Sequence, residues 1–296
     1  MVNPQPDSQS IKGKPFLGIR KKYWPLIKSL QTGLLVITGL AGYMSTKCPY
    51  TNWPIVLSLT GSLFLAISGS TILNMWFDRD IDALMDRTKK RPLPSGLIQP
   101  SEALILGLVL SIIGVGWALI LDPIYGLVVF AGLFFDVFVY TIWLKRKTAW
   151  SIIWGGISGG MPILAGRVLG TGEFDWVGIA LAASVLFWIP THIMTFNIRY
   201  LDDYKKADVP TFASVYGIAF TQKIIAISSF LVAVIMSFAS IGIGMTIGYV
   251  RILIILSVGL LILSLMSAII PSKKLNFGLF KFASVYMLSS MLLISF

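Results

Sequence analysis

The sequence predicts an all-α integral membrane protein, a single bundle of about nine transmembrane helices. Of its 296 residues, 56% are hydrophobic and only 12% are charged, whereas a typical soluble domain has about 25% charged residues. Apolar runs of about 20 residues, the length that an α-helix needs to span a bilayer, recur along the whole chain. The composition and the recurring runs together exclude a soluble enzyme of this size.

The apolar runs divide the chain into nine spans. The first span follows a polar tail, residues 1–23, which has no apolar core before Trp24 and is therefore not a signal peptide. The turn at 121–123 contains a proline and separates the third span from the fourth. No domain linker interrupts the runs, so residues 1–296 are expected to form one transmembrane domain. The expected spans are about 25–45, 54–76, 102–120, 124–143, 149–168, 177–199, 220–240, 250–270 and 279–296.

The distribution of basic residues predicts orientation and location. If the N-terminal tail and the loops after even-numbered spans face the cytoplasm, nearly all of the 24 lysines and arginines lie on that side. The exceptions are Lys47, Arg167 and Arg251. This is the positive-inside pattern. We therefore expect a multi-pass protein of the cell membrane with its N-terminus in the cytoplasm. The formal net charge of +11 then reflects topology and not nucleic-acid binding.

The stretch from Asn74 to Gly96 interrupts the apolar pattern. Asn74, Asp78 and Asp82 follow one another at i, i+4 and i+8, so a helix would stack them on one face with neighbouring Cβ atoms roughly 5–6 Å apart. Like charges at this spacing repel each other unless a cation lies between them. Mg²⁺ prefers oxygen ligands and commonly joins one or two carboxylates to substrate phosphates. The row therefore predicts a magnesium site.

Cations follow this acidic row directly. Arg87, Lys89, Lys90 and Arg91 are of the residue types that bind phosphate groups. A metal-binding row beside such cations predicts diphosphate chemistry. The alternative is a solvated loop whose charges serve topology alone, but such a loop does not require carboxylates at helical spacing.

A second polar cluster follows the sixth span and opens to the same side of the membrane. It repeats the chemical mix of the first, an amide, acids, bases and a proline. Its members are Asn197, Arg199, Asp202, Asp203, Lys205 and Lys206. The two acidic groups could hold two metal ions, or one metal ion and an orienting cation, around a diphosphate. Such a clamp stabilises the charge on a leaving diphosphate. With an apolar tail among the helices, the substrate would be an isoprenyl diphosphate.

The first cluster resembles a signature of the UbiA-type intramembrane prenyltransferases. It has the form Asn74-x3-Asp78-x3-Asp82, followed by Arg-x3-Arg-Pro-Leu-Pro-Ser-Gly. The stretches at 140–148, 155–162 and 200–207 are similar to further motifs of the haem-modifying branch of that family. The resemblance covers roughly residues 25–217 in recognisable motifs, and it implies a UbiA-like bundle of nine helices.

The resemblance also implies a reaction. A farnesyl group would pass from farnesyl diphosphate to a vinyl group of protohaem IX (haem B), giving haem O and diphosphate, with Mg²⁺ as the cofactor. The alternative is another acceptor used within the family, an aromatic quinone precursor or geranylgeranylglyceryl phosphate. The implied catalytic and metal-binding residues are Asn74, Asp78, Asp82, Asp202 and Asp203. The implied substrate-binding residues are Arg87, Arg91, Tyr140, Lys145, Arg146, His192, Arg199, Tyr200 and Lys205.

The chain departs from the family pattern in two places. The quinone and lipid branches usually have Asp-x3-Asp in the second cluster, where this chain has Tyr200 and Tyr204. The haem branch typically has Tyr-x-Asp-Asp-Tyr, which this chain keeps. The Pro-His-Phe of that branch in span six is replaced by Pro-Thr-His-Ile, which retains His192 but changes its neighbours.

His192, the only histidine, has two interpretations. It shares one helical face with Trp188, Phe196 and Tyr200, and a histidine on such a face is more often a core residue than a ligand. An ionisable group inside a membrane span nevertheless indicates function. Contact with haem, including axial ligation, is therefore the second interpretation.

Two further alternatives concern the charged residues. Lys145 and Arg146 follow span four, where they would either contact diphosphate or anchor the helix end. A transporter could use the acidic rows as a cation path, but it would need charge near the middle of the membrane. These clusters lie at the ends of spans, which favours an enzyme.

Overall fold

A computed structural model of the protein describes residues 22–46 and 52–296, and all regular secondary structure within these residues is helical. The expected N-terminal tail, residues 1–23, lies outside the described residues except for its last two. Four short helices accompany the long ones. Trp24–Ile27 precedes the first long helix, and Arg79–Leu84, Leu201–Lys206 and Phe212–Val215 lie in later connections.

Nine long apolar helices make up the bundle in the described part of the chain. Eight are long and apolar enough to cross a membrane, and α1 is apolar but has only 16 residues. The protein is therefore a multi-pass helical membrane protein, and the predicted fold class is confirmed. The helices are α1 Ser29–Met44, α2 Trp53–Phe77, α3 Pro100–Leu121, α4 Pro123–Leu144, α5 Ser151–Thr171, α6 Trp176–Arg199, α7 Ile218–Ile243, α8 Ile247–Ile269 and α9 Lys273–Ile294.

Side-chain caps explain several helix starts. Asp122, the one residue between α3 and α4, accepts the backbone N–H of Tyr125 at 2.7 Å, which satisfies a donor that the first turn leaves free. Ser272 accepts the N–H of Leu275 at 3.0 Å. Because of this cap, α9 begins six residues before the expected start at about 279, and the added turn includes Lys273 and Lys274.

The connections between the long helices alternate between the two ends of the bundle. At one end, two helices finish with a glycine of positive φ, Gly172 at 80° and Gly244 at 70°. At the other end the connections are residues 78–99, 145–150, 200–217 and 270–272. We call this second end the loop face. Both predicted polar clusters lie there.

Helix α1 packs against α2 and α5, and α9 packs against both α1 and α6. Large apolar side chains such as Ile120 and Ile255 are 86% and 69% exposed on the outer surface, as expected for contact with lipid chains.

The contact between α1 and α5 is backbone against backbone. A Cβ added at Gly166 would overlap the carbonyl oxygen of Gly39, and one added at Gly42 would overlap the carbonyl oxygen of Ile163. Helices in lipid associate through such close packing, because lipid chains already solvate apolar side chains. The glycines therefore set the separation of α1 and α5.

Arg167 secures the end of the bundle opposite the loop face. Its guanidinium pairs with Asp175 at 2.6 Å and donates to the carbonyl oxygen of Ser45 at 2.7 Å. Arg167 is 8% exposed, and these bonds satisfy the charge that burial would otherwise penalise. The residue thus joins the ends of α1, α5 and α6.

We predict that Gly166→Ala destabilises the protein by about 1–3 kcal/mol, because the new methyl group forces the two backbones apart. The measurement is thermal unfolding of the detergent-purified protein, which should show a lower Tm. Gly116→Ala on α3 is the matched control, since an added Cβ there meets open space. Equal Tm values for the two variants would contradict the packing argument.

Candidate active site at the loop face

The first acidic row lies where α2 ends and the short helix Arg79–Leu84 begins. The N–H of Asp78 donates to the carbonyl oxygen of Asn74 at 2.9 Å, and the N–H of Asp82 donates to that of Asp78 at 2.8 Å. This i to i−4 bonding continues across the boundary and keeps the three side chains on one side. Asp78 and Asp82 are each 5% exposed, so the row is withdrawn from solvent.

Each buried carboxylate in the row has a cation. The ammonium of Lys145 pairs with Oδ2 of Asp78, and Nη1 of Arg91 lies 2.7 Å from Oδ2 of Asp82. Removing either cation would leave a buried charge uncompensated. Lys145 and Arg91 are two of the residues predicted to bind diphosphate, and here they also neutralise the row.

Lys145 remains charged despite its position. Burial by itself would lower the pKa of Lys145, but the Asp78 carboxylate and the neighbouring Tyr140 ring raise it above its ordinary value. The opposite charge on Asp78 favours the protonated amine. Lys145 is therefore a permanent cation beside the acidic row.

Arg146 binds a carboxylate outside the row. Its Nη1 and Nη2 donate to the two oxygens of Asp80 at 2.7 Å each, the bidentate geometry that guanidinium groups favour. Its guanidinium also packs over the Phe77 ring, 4.9 Å from the ring centre. Arg146 approaches Asp78 only to 3.9 Å, so its main partner is Asp80.

One oxygen of the row has no hydrogen-bond partner. Among the described residues, Oδ1 of Asp78 is buried and accepts no hydrogen bond, and Nη2 of Arg146 approaches it only to 3.9 Å, a costly state for a carboxylate. A hard divalent cation binds oxygen atoms of this kind, and Asn74 and Asp82 supply two more. The donor set therefore suits Mg²⁺. Across the described residues, no three His, Cys, Asp or Glu side chains are close enough together to hold a metal ion.

The second cluster folds onto the first. The carboxylate oxygens of Asp203 accept the backbone N–H groups of Asp86 and Arg87 at 3.3 Å each. The ammonium of Lys206 lies 2.7 Å from Asp86. Lys206 and Lys89 lower the pKa of Asp86 to about 2. The two clusters, more than 100 residues apart in sequence, thus share one end of the bundle.

The remaining charged residues of the second cluster face outward. Asp202 and Lys205 are exposed. Arg199 lies 3.9 Å from the centre of the Phe277 ring and 5.5 Å from that of Tyr200. Across the described residues, none of these three groups forms an ion pair with the acidic row.

Aromatic rings line the space beside the row. Arg87 lies over the rings of Phe196 and Tyr200, at 4.9 and 5.5 Å from their centres. Lys145 lies 5.7 Å from the centre of the Tyr140 ring, and Gly155 leaves room for that ring. Tyr140 and Tyr200, both predicted to contact substrate, therefore stand next to the cations at the loop face.

His192 is held between two rings. Its imidazole stacks on Trp188 at 4.7 Å and on Phe280 at 4.6 Å between ring centres. Nδ1 lies 3.2 Å from Oγ of Ser284. The stacking fixes the plane of the imidazole, and the Ser284 contact engages one nitrogen, which leaves Nε2 for another partner.

Two further residues lie at this site, and the spacing of charges in the sequence does not identify either of them. Asp136, inside α4, accepts hydrogen bonds from Asn74 and Ser70. The signal available was a carboxylate within a transmembrane span, which generally indicates function. Its place in the site depends on the winding of α4.

Lys28 is the second such residue. It adopts a left-handed backbone with φ 43° and ψ 60°, which is unfavourable for residues other than glycine. Burial, together with the nearby charges of Arg91 and Lys145, lowers the pKa of Lys28 to about 8. Its ammonium makes no ion pair with any residue that the structure describes, although the nearby carboxylates of Asp82 and Asp136 favour its charged form.

Comparison with known proteins places the chain in a family. The model of the UbiA prenyltransferase family matches residues 35–285. A protein named protoheme IX farnesyltransferase from Thermoplasma volcanium is 33% identical over 268 residues, covering 90% of this chain and 93% of the relative. One of the same name from Archaeoglobus fulgidus is 47% identical over 190 residues, covering 64% of this chain and 66% of the relative.

A solved structure has the same fold. It is a UbiA homolog from Archaeoglobus fulgidus bound to DMAPP and Mg²⁺, with a TM-score of 0.70 and 17% sequence identity, covering 93% of this chain and 99% of that one. The family match extends over most of the chain, and the Thermoplasma relative aligns over nearly its full length. The chain therefore belongs to the UbiA prenyltransferase family.

Proposed function

We propose that the protein transfers a farnesyl group from farnesyl diphosphate to a vinyl group of protohaem IX. The observation that carries the proposal is the buried row of Asn74, Asp78 and Asp82, with its paired cations, at the end of an apolar and aromatic bundle. The relatives named protoheme IX farnesyltransferase support the choice of both substrates.

The acidic row is proposed to hold Mg²⁺. The unpartnered Oδ1 of Asp78 and the oxygens of Asn74 and Asp82 are the candidate ligands. The Mg²⁺ in the solved UbiA homolog supports this choice of metal. Mg²⁺ neutralises developing charge on a leaving diphosphate. Since few carboxylates gather at the row, diphosphate oxygens would complete the ligand set, as is usual for Mg²⁺.

Asp202 and Asp203, in the second cluster, are proposed to bind the metal after a change in their position. Asp203 now caps two backbone N–H groups, and Asp202 is exposed. Either carboxylate would reach the metal only after rearrangement of the Leu201–Lys206 helix. Their role as metal ligands is therefore separate from that of the first row.

The cations of the loop face are proposed to bind the diphosphate. Arg91 and Lys145 lie against the row itself, and Lys28 adds an unpaired ammonium nearby. Arg87, Arg146, Arg199 and Lys205 lie farther out, where they would attract the anion and hold it after release. Fixed cations of this kind stabilise charge that develops during the reaction.

The aromatic rings are proposed to stabilise the farnesyl cation. When the C–O bond to diphosphate breaks, the allylic carbon carries positive charge, which the faces of Tyr140 and Tyr200 can stabilise by cation–π contact. The vinyl group then supplies the electron pair of the new C–C bond. Water adds to the other vinyl carbon and loses a proton, giving the hydroxyfarnesylethyl group of haem O. The surrounding helices keep bulk water from the cation.

His192 is proposed to contact the haem. Its ring is held rigidly by Trp188 and Phe280, and Nε2 is available. An imidazole nitrogen is a common axial ligand of haem iron. This contact would orient the porphyrin beside the aromatic rings.

The loop face is proposed to lie in the cytoplasm, with the protein in the cell membrane. The basic residues at the loop face support this orientation under the positive-inside rule.

We predict that Asp78→Asn lowers turnover at least about 100-fold, because a neutral amide is a weaker metal ligand and stabilises less developing charge. The measurement is farnesyl transfer by the purified protein, with Tm reporting folding. Asp80→Asn is the matched control, since Asp80 is exposed and lies outside the row, and it should retain activity. Normal turnover by Asp78→Asn would remove the row from the mechanism.

We predict that cells expressing the chain, with farnesyl diphosphate and haem B available, accumulate haem O. Mass spectrometry of extracted porphyrins makes the measurement, and cells expressing Asp78→Asn provide the background. A prenylated quinone precursor or glycerol phosphate lipid, with haem B unchanged, would instead identify another acceptor of the same family.

We predict that His192→Phe binds haem B about tenfold more weakly, since phenylalanine preserves the ring stack but lacks the nitrogen. Haem binding is followed by the Soret absorbance, and binding of farnesyl diphosphate serves as the internal control because it should not change. An unchanged Soret spectrum and affinity would mean that His192 is a packing residue.

A further inference from the structure

Asp136 places a carboxylate inside a membrane-spanning helix, next to the acidic row. It lies in the last ten residues of α4, Phe135–Leu144, which are wound as a π-helix. A charge at this depth is costly unless it is bonded. Oδ2 of Asp136 accepts from the amide nitrogen of Asn74 at 2.8 Å and from the hydroxyl of Ser70 at 2.5 Å. Asp136 therefore joins α4 to α2 at the level of the row.

The carboxylate determines which way the Asn74 amide points. An ionised carboxylate only accepts hydrogen bonds, so the NH₂ group of Asn74 has to face Asp136. The opposite orientation would set two oxygens against each other. Oδ1 of Asn74 therefore points away from Asp136. A neutral partner that can both donate and accept would allow either orientation of the amide.

Thr141 contacts the oxygen that Asp136 leaves free. Its hydroxyl lies 2.7 Å from Oδ1 of Asn74 and 2.8 Å from the backbone carbonyl oxygen of Asp136. The hydroxyl has one proton and can donate to only one of these oxygens at a time. If it donates to the carbonyl, Oδ1 of Asn74 becomes available to a cation and Thr141 loses no hydrogen bond.

The π-helix brings these groups together. Thr141 follows Asp136 by five residues, and the hydroxyl reaches the carbonyl of the residue five positions earlier. Thr141 is fully buried, so water does not compete for its proton. Local π winding recurs at functional sites, where it repositions side chains.

We propose that Asp136, with Thr141, is a positioning residue that presents the amide oxygen of Asn74 to the divalent cation. The inference rests on the metal site of the proposed function. It assigns Asp136 no contact with the metal, with the diphosphate or with the acceptor. Partners that orient a metal ligand from outside generally contribute about 10–100-fold to metal affinity.

The test is a double-mutant cycle between Asp136 and Asn74. Mn²⁺ alone is the probe, and binding to the full-length purified protein is measured from the loss of the free-ion EPR signal. The variants are Asp136→Ala, Asn74→Ala and the double substitution. Asp122→Asn is the matched control, because it removes a carboxylate from a helix start at the opposite end of the bundle.

We expect Asp136→Ala to weaken Mn²⁺ binding about tenfold or more, and to have little further effect once Asn74 is alanine. Asp136→Asn keeps the shape of the side chain and guards against misfolding of the alanine variant. It should weaken binding less, because its carbonyl still accepts the Asn74 amide but no longer forbids the flipped orientation. Asp122→Asn should bind as the unsubstituted protein does.

Two results would overturn the proposal. If Asp136→Ala weakened Mn²⁺ binding equally in the protein with Asn74 and in the Asn74→Ala variant, the Asp136 charge would act on the metal directly. Unchanged Mn²⁺ binding in a folded Asp136→Ala would mean that the carboxylate only joins α2 to α4. If the unsubstituted protein bound Mn²⁺ neither alone nor together with inorganic diphosphate, the metal site of the proposed function would fail as well, so the two failures are distinguishable.

Discussion

The ion pair between Lys145 and Asp78 is the contact on which the loop face depends. It joins the end of α4 to the end of α2 and neutralises a carboxylate that is only 5% exposed. The ammonium takes Oδ2, and among the described residues the other oxygen accepts no hydrogen bond. Loss of the pair would leave a buried charge at the centre of the site. Arg91 has the same relation to Asp82, so each buried carboxylate of the row has a cation beside it.

The site is assembled from distant parts of the chain, through both backbone groups and side chains. Asp203, in the short helix Leu201–Lys206, accepts the backbone N–H groups of Asp86 and Arg87, which follow the first row. Asp136, from α4, bonds the amide that begins it. These contacts cross between helices that are neighbours only in the folded bundle. The rigidity of that bundle, set partly by glycine contacts between α1 and α5, is therefore a condition for the geometry of the row.

The fold was predictable to within a few residues at most helix ends, whereas the partners within the site were not. The sixth span was expected at about 177–199 and is Trp176–Arg199, because hydropathy and bilayer thickness fix such segments. The spacing of Asn74, Asp78 and Asp82 also follows from sequence alone. Which cation meets which carboxylate does not, since Arg87 and Arg199 engage rings and Lys145 engages Asp78. Those choices depend on long-range packing and on the π winding of α4.

At the end of the bundle opposite the loop face, the buried Arg167 bonds the ends of α1, α5 and α6 together. In the proposed reaction, an ionic product formed under the acidic row would leave into water at the loop face, past the cations. The lipophilic product, in contrast, would leave sideways into the hydrocarbon of the bilayer. The two products would separate into different phases as soon as they part, which would oppose recombination and draw the transfer forward.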